Sequence, residues 1–282
     1  MAAVLGTNQA SLWAAKNLQS AQSKMADSVE RLSSGLRVNR ARDDAAGMGI
    51  ANALTQQINS ADQGIRNLND GISIVQTAEG ALAQASEMAQ RILTLSIQGQ
   101  SSALSQTQKN SITTEMRSML DGINAIQTRT KFGGNTTALF NGSSISVYSS
   151  KETLDTISIT SASLTTIGTA TGGLAVTLST NVTTTASTAG DFQAIATAAS
   201  TYIDSITSQR GTLGATQNQM EYSVNNITEL SANLSAARSN VQDTDYASET
   251  ASLTKGQILQ QAATAMLAQA NQMPNVILSL LK

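Results

Sequence analysis

The sequence predicts a mainly α-helical protein, in which both ends of the chain form a long antiparallel coiled-coil bundle and the middle forms a small β-hairpin region. Apolar residues recur in alternating steps of four and three in one stretch before the middle, and every seven positions in one stretch after it, which predicts two long helices. Between them, short stretches alternate apolar and polar residues, which predicts strands.

The first long helix is predicted to run from Gly47 to Gln98. Its apolar seam consists of Leu54, Ile58, Ala61, Ile65, Leu68, Ile72, Val75 and Leu82. A helix of this length is about 75 Å long, at about 1.5 Å per residue. A second apolar run, from Ile112 to Ile126, is expected to fold back on the first helix.

The second long helix is predicted to begin near Asp191, and its repeat is cleaner. Its apolar positions lie seven residues apart at Ile206, Leu213, Met220, Ile227, Leu234 and Val241. Two exposed seams of this length are not stable alone, so the long helices are expected to pack against each other. Together, the residues of the two seams form the predicted core of a helical rod.

The two ends of the chain carry weaker apolar patterns rich in small residues. The large apolar residues there are Leu18, Met25 and Leu32 near the start, and Ile258, Met266, Met273, Val276, Leu278 and Leu281 near the end. Helices of this kind are marginal in water because helix nucleation is costly. With no partner in their own chain, the ends are expected to stay disordered until copies pack together, and to form a self-assembly interface.

The middle of the chain is rich in serine and threonine, which make up half of residues 143 to 188. Three stretches alternate apolar and polar residues: SISVY from Ser144, TISIT from Thr156 and LAVTL from Leu174. Alternation of this kind predicts short, half-buried strands or hairpins.

The composition argues against an enzyme. The chain has no histidine and no cysteine, which excludes thiolate nucleophiles, imidazole bases and histidine-containing zinc sites. A net charge of -2 without a run of basic residues offers no footprint for nucleic acid. No segment is long and apolar enough to span a membrane, and the first residues do not form a Sec signal peptide. We therefore predict no catalytic residue, metal or cofactor.

Two acidic clusters are the only candidates for a metal or acid–base site. Asp43 and Asp44 form one, and Asp243 and Asp245 form the other. No further ligand accompanies either cluster, so capping of helix N-termini is the better interpretation. Their natural ionic partners are Arg40 and Arg42. Gly47 and Gly49 are interpreted as positions of close helix packing rather than a phosphate loop.

Two segments resemble a known family. LSSGLRVNRARDDAAGMGIA (Leu32–Ala51) and the segment from ANLSAARSNVQDTDY to the end (Ala232–Lys282) closely resemble the signature ends of bacterial flagellins. The resemblance covers residues 1–140 and 190–282. It implies a non-enzymatic structural subunit that assembles with copies of itself into the flagellar filament, the propeller for swimming.

The resemblance also implies three regions and a set of partners. Residues 1–33 and 250–282 would be inner core helices, 34–140 and 190–249 a rod with a connecting spoke at 34–46, and 141–189 a variable outer region. Secretion would pass through the type III export apparatus to an extracellular filament. The implied partners are the flagellin export chaperone, the filament cap and the hook-associated proteins.

A further set of residues follows from the same resemblance. In flagellins that the vertebrate innate flagellin receptor recognises, an arginine and a leucine of the rod helix and a glutamate of the next helix are involved. Arg91, Leu95 and Glu115 keep these types, while Leu93 and Thr94 replace a charged pair. The alternative is that Arg91 and Glu115 pair at a contact between subunits.

Two other functions remain open at this level. A hook–filament junction protein would have similar ends, and a type III secreted coiled-coil effector would share the helical pattern. The nearly complete segment LQQAATAMLAQANQ favours flagellin.

Overall fold

A computed structural model describes residues 8–132, 139–140, 142–150, 155–160 and 189–280, with side chains up to residue 272 in the last helix. Five helices and two strands occupy these residues. They are α1 Gln9–Ser34, α2 Ala45–Gly99, α3 Gln106–Arg129, β1 Ser144–Tyr148, β2 Thr156–Thr160, α4 Ala189–Gln242 and α5 Tyr246–Leu280. The predicted fold class is confirmed, and α2 and α4 begin within two residues of the predicted positions. The predicted strand at 174–178 lies outside the described residues.

The chain divides into two compact units. The terminal unit comprises Met1–Ile58 and Ala232–Lys282, and the central unit comprises Asn59–Ser231. Helices α2 and α4 each contribute residues to both. No helix among the described residues is long and apolar enough to cross a membrane.

The core of the central unit is built from α2, α3, α4 and the β1–β2 hairpin. Of the predicted seam residues, Leu68, Val75, Leu213 and Met220 are buried, while Ile72 and Ile227 are partly buried against the core. Helix α3 folds back on α2 as predicted, and its buried apolar residues are Ile112, Met116 and Ile123.

Part of the predicted rod core is not core. Leu54, Ile65, Leu234 and Val241 are only partly buried, and Ile58 is buried but belongs to the terminal unit. The reason is the number of layers. The core that includes α3 and the hairpin begins at Leu68 on α2 and reaches Ile227 on α4. The four partly buried residues lie beyond these positions, where fewer layers cover the seam.

The β1–β2 hairpin is antiparallel and pairs Ser144 with Thr160 and Val147 with Ile157. Val147, Ile157 and Ile159 point into the core, which confirms the predicted alternation. The hairpin backbone approaches α2 at Gly64, where an added Cβ would overlap the carbonyl oxygen of Ser149. Only glycine fits at this position.

The predicted capping role is confirmed for two of the four aspartates, Asp44 and Asp245. Asp44 directly precedes α2 and its Oδ1 accepts the backbone N–H of Gly47 at 2.8 Å, and Asp245 directly precedes α5 and accepts from Ala247 at 2.9 Å. A side chain at Gly47 would collide with the Asp44 carboxylate, so this glycine serves the cap. At Gly49 nothing lies within 4 Å of an added Cβ. Close packing is therefore the wrong interpretation for Gly49 within this chain.

Candidate functional site

Helices α1 and α5, from opposite ends of the sequence, pack against each other. Their contact is made of small residues: Ala14, Ala21 and Ala270 are buried, and Gly256 lies against Met25. At one end, Asn8 Nδ2 donates to the carbonyl of Ala270 at 2.7 Å. The expectation that the ends have no partner in their own chain is thus wrong, because sequence periodicity does not reveal which weakly apolar helices will meet.

A contact made of alanines leaves the large apolar residues of these helices outside it. Ile258 and Met266 are each 60% exposed, whereas Leu18, Met25 and Leu32 are partly buried. Met273, Val276 and Leu278 lie on α5 with side chains outside the described set, and Leu281 lies outside the described residues. Sequence reasoning missed further exposed apolar residues of the pair, among them Leu12, Trp13 and Leu259.

Between α1 and α5 runs an apolar groove with a volume of about 830 Å³. Alanines form its floor, and Trp13, Leu259 and Met266 stand at its rim. Trp13 is 63% exposed, and the Lys16 ammonium lies 5.3 Å from the centre of its ring. Exposed apolar surface of this kind on one molecule marks an interaction site. The only tryptophan of the chain, in an alanine-rich segment, could have indicated it.

The linker between α1 and α2 is paired with the segment between α4 and α5. The Arg37 N–H donates to the Gln242 carbonyl at 2.7 Å, and the Thr244 N–H donates to the Gly35 carbonyl at 2.9 Å. Gly35 ends α1 with a φ of 73°, a left-handed conformation that favours glycine. The two signature segments of the sequence are therefore neighbours in the fold.

Ion pairs fasten the same linker to α1. Glu30 accepts from Arg40 Nη2 at 2.6 Å, and Arg42 lies 3.3 Å from Asp27 and 3.6 Å from Asp43. The pKa of Asp43 lies below its ordinary value, chiefly because the Arg40 backbone N–H donates to its carboxylate. The predicted arginine partners are thus present, although Arg40 pairs with Glu30.

Arg91, Leu95 and Glu115 lie in the central unit and do not form one surface. Arg91 donates two hydrogen bonds to Glu115 Oε1, at 2.7 and 3.0 Å, and both side chains are exposed. Leu95 is only 2% exposed, because α2 turns it into the core. Of the three residues, only Arg91 and Glu115 therefore present an exposed side chain. Arg91 and Glu115 pair with each other within one chain, and their role in a contact between subunits stays a prediction.

The described residues contain no group of three histidine, cysteine or acidic side chains that could hold a metal ion. What the geometry offers instead is an apolar groove and a fastened linker. These features fit packing of protein against protein.

Comparison with known proteins identifies the signature ends. The model of the bacterial flagellin N-terminal helical region matches residues 5–144, and that of the C-terminal helical region matches residues 193–281. The chain is 36% identical to the flagellin of Bacillus subtilis over 299 residues, which covers 98% of each chain. It is 36% identical over 258 residues to the flagellin of Halalkalibacterium halodurans, which covers 90% of each.

Among solved structures, a protein of Vibrio parahaemolyticus described as flagellar hook-associated gives a TM-score of 0.62. The match covers 71% of this chain and 100% of that one, at 12% sequence identity. At this identity the likeness concerns the fold alone.

Proposed function

This chain belongs to the bacterial flagellins, and we propose that the α1–α5 pair is the surface through which its copies polymerise. As a flagellin it is a structural subunit, not an enzyme, and it self-assembles into the extracellular flagellar filament. The hook–filament junction protein and the secreted effector are not favoured, because relatives that match along at least 90% of the chain are flagellins.

The exposed rim of the groove is the observation that supports this proposal. Trp13, Leu259 and Met266 lie on helices whose mutual contact buries mostly alanine. Complete burial of a large apolar side chain contributes about 1.5–3 kcal/mol. A second copy seated on the groove would therefore stabilise the pair by several such contributions. A contact between unlike faces of successive copies generates a helical polymer when the rotation between copies does not close into a ring.

We further propose that the paired linkers separate the part of the chain that forms the inner core of the filament from the part that forms the rod. Residues 1–33 and 250–282 form the inner core, 34–140 and 190–249 the rod with its spoke at 34–46, and 141–189 the outer region. Two local features support this division: Gly35 ends α1, and Asp245 caps the start of α5. Because the α1–α5 contact buries mostly alanines, it stabilises the ends only weakly, which fits the proposal that they become ordered during assembly.

The remaining partners are proposed from membership of the family. They are the flagellin export chaperone, the type III export apparatus, the filament cap and the hook-associated proteins. The exposed Arg91–Glu115 pair is proposed as a surface for a neighbouring subunit or for the host innate flagellin receptor, with Leu95 acting only as core.

The single tryptophan provides a direct test of the polymerisation surface. Purified subunits are added to filament seeds, growth is followed by electron microscopy, and the emission of Trp13 is recorded. We expect a shift of the emission to shorter wavelength during growth, because the exposed ring becomes buried. Met266→Asp should abolish growth, since a carboxylate in an apolar contact loses its hydration.

The matched control is Leu230→Asp, which places the same charge at an exposed leucine of α4, outside the pair. This variant should grow. Growth of Met266→Asp at the wild-type rate, with unchanged Trp13 emission, would exclude the α1–α5 groove as the polymerisation surface.

A further inference from the structure

The seven-residue repeat of α2 and α4 leaves their alignment undetermined. If α4 slid along α2 by seven residues, about 10.5 Å, apolar positions would again face apolar positions. The alignment must therefore be determined by something other than the apolar pattern.

Two close approaches between α2 and α4 show which alignment the helices adopt in the central unit. A Cβ added at Gly71 would lie 3.0 Å from the sulfur of Met220, and one added at Gly99 would overlap the ring of Phe192. Positions 71 to 99 span 28 residues of α2, and positions 192 to 220 span 28 residues of α4. The helices thus keep one antiparallel register over four heptads.

Polar contacts along the same two helices agree with this register. Arg210 Nη2 lies 3.3 Å from Glu79 Oε1, and Ser231 Oγ lies 3.2 Å from Asp62 Oδ1. Within it, seven-residue steps place five pairs of buried residues opposite each other. These layers are Gly71 with Met220, Ala78 with Leu213, Ala85 with Ile206, Ile92 with Ala199, and Gly99 with Phe192.

Four of the five layers place the small residue on α2 and the large residue on α4. The layer of Ile92 and Ala199 is inverted, with the large residue on α2. Both of its members are completely buried and belong to the same core. We propose that this inverted layer is what selects one register for the two long helices.

The physical reason lies in what a slip does to the inverted layer. A slip in one direction places Ile92 opposite Phe192 and leaves Ala199 opposite Ala85. A slip in the other direction places Ile92 opposite Ile206 and leaves Ala199 opposite Gly99. Each slip therefore creates one overpacked layer and one void, and both are destabilising. Without the inversion, α2 would carry only small residues at these positions and α4 only large ones. Every pair formed after a slip would then still join a small residue to a large residue.

The β1–β2 hairpin is a competing source of register, because it touches both helices. Asn67 Nδ2 donates to the Tyr148 carbonyl at 3.0 Å, and Gln209 Nε2 donates to the Thr160 carbonyl at 2.8 Å. Removal of both amides in Asn67→Ala/Gln209→Ala tests this alternative. If the inverted layer selects the register, this variant keeps it.

The decisive variant is the exchange Ile92→Ala/Ala199→Ile. It gives all five layers the same order, so a slip of seven residues no longer pairs two large or two small residues in any layer. Each single substitution should lower the folding equilibrium constant of the central unit by at least about tenfold, by a void or by overpacking. The exchange should recover most of this loss, yet no longer specify the register. Gly80→Ala, on a helix face with nothing within 4 Å, is the control.

The register is measured by cross-linking of introduced cysteines. Because the chain has no cysteine of its own, only the introduced pair can react. Asp62→Cys is combined with Ser231→Cys for the native register and with Val224→Cys for a slip of seven residues, and each full-length chain is treated with a short bismaleimide. In the wild-type background, only the 62–231 pair should cross-link. In the exchange variant, the 62–224 product should rise at least about tenfold, because the slip no longer creates a layer of two large residues and a layer of two small ones.

Two results would overturn the proposal. One is an exchange variant that cross-links only at 62–231, or that shows the combined instability of its two single variants. The other is slipped cross-links in Asn67→Ala/Gln209→Ala, which would assign the register to the hairpin.

Discussion

The central unit and the terminal helix pair use the same secondary structure with opposite packing. In the central unit many large apolar side chains, such as Phe140 and Phe192, are completely buried. In the α1–α5 pair the buried residues are alanines, while Trp13 and Met266 face outward. Burial of a large side chain contributes far more than burial of a methyl group. The comparison teaches that the central unit has a core of large side chains of its own, whereas the pair leaves such side chains exposed for the contact with a second copy that we propose.

The largest difference between the two regions is expected when a large side chain is truncated in each of them. Phe192→Ala removes a ring seated on Gly99 and should destabilise the central unit by about 3–5 kcal/mol. Met266→Ala, at an exposed position, should change the stability of the free subunit by less than about 0.5 kcal/mol. Denaturant unfolding of the unpolymerised subunit measures both. Equal effects would show that the two regions do not differ in their packing.

A smaller effect is expected at the linker, where the chain turns between α1 and α2. Gly35→Ala places a Cβ at a φ of 73° and 3.2 Å from the hydroxyl of Tyr246, and should cost about 1–2 kcal/mol. Gly49→Ala, in open space on α2, is the matched control. It should stabilise by up to about 1 kcal/mol through helix propensity. Thermal unfolding distinguishes the two, and identical shifts would exclude a special role for Gly35.

The smallest effect should come from acid at the linker carboxylates. The folded pKa of Asp43 is depressed, so its contribution is present above the ordinary value of 3.8 and is lost as the pH falls through the folded pKa. Hydrogen exchange of the Arg40 N–H, which donates to Asp43, should therefore accelerate below pH 3.8 relative to its intrinsic rate.

Asp43→Ala provides the control for this acid response. It should accelerate exchange of the Arg40 N–H already at neutral pH and remove the acid dependence. Unchanged protection in the variant would show that backbone pairing alone holds the linker.

The long helices could be predicted closely because their evidence is local. The apolar or polar character of each residue in a heptad indicates which face of the helix it lies on. The predicted bounds of α2, Gly47–Gln98, therefore differ from the observed bounds, Ala45–Gly99, by two residues at the start and one at the end. The aspartate caps were predicted for the same reason, since a cap depends on a few consecutive residues. Ile258 and Met266, which the sequence predicts to be self-assembly residues, are exposed in the subunit. Their role in assembly stays a prediction.

Features that depend on a distant partner could not be predicted. Leu95 lies four residues after Arg91 and thus on nearly the same side of α2, yet Leu95 is buried and Arg91 is exposed. The pairing of α1 with α5 was missed because weak alanine stripes do not indicate a partner. The open seam at Leu54 and Leu234 was missed because the heptad pattern does not reveal where α3 and the hairpin end.

By itself, the sequence determined the helical class, the two long seams, the Ser/Thr-rich hairpin and the family. These follow from local periodicity and from residue identity along the chain. Only the tertiary structure decided which small residue faces which large one, that the chain ends meet through alanines, and which apolar residues are left exposed. The physical reason is that side-chain periodicity defines the buried face of a helix, whereas register and partner depend on the volumes of residues far apart in sequence.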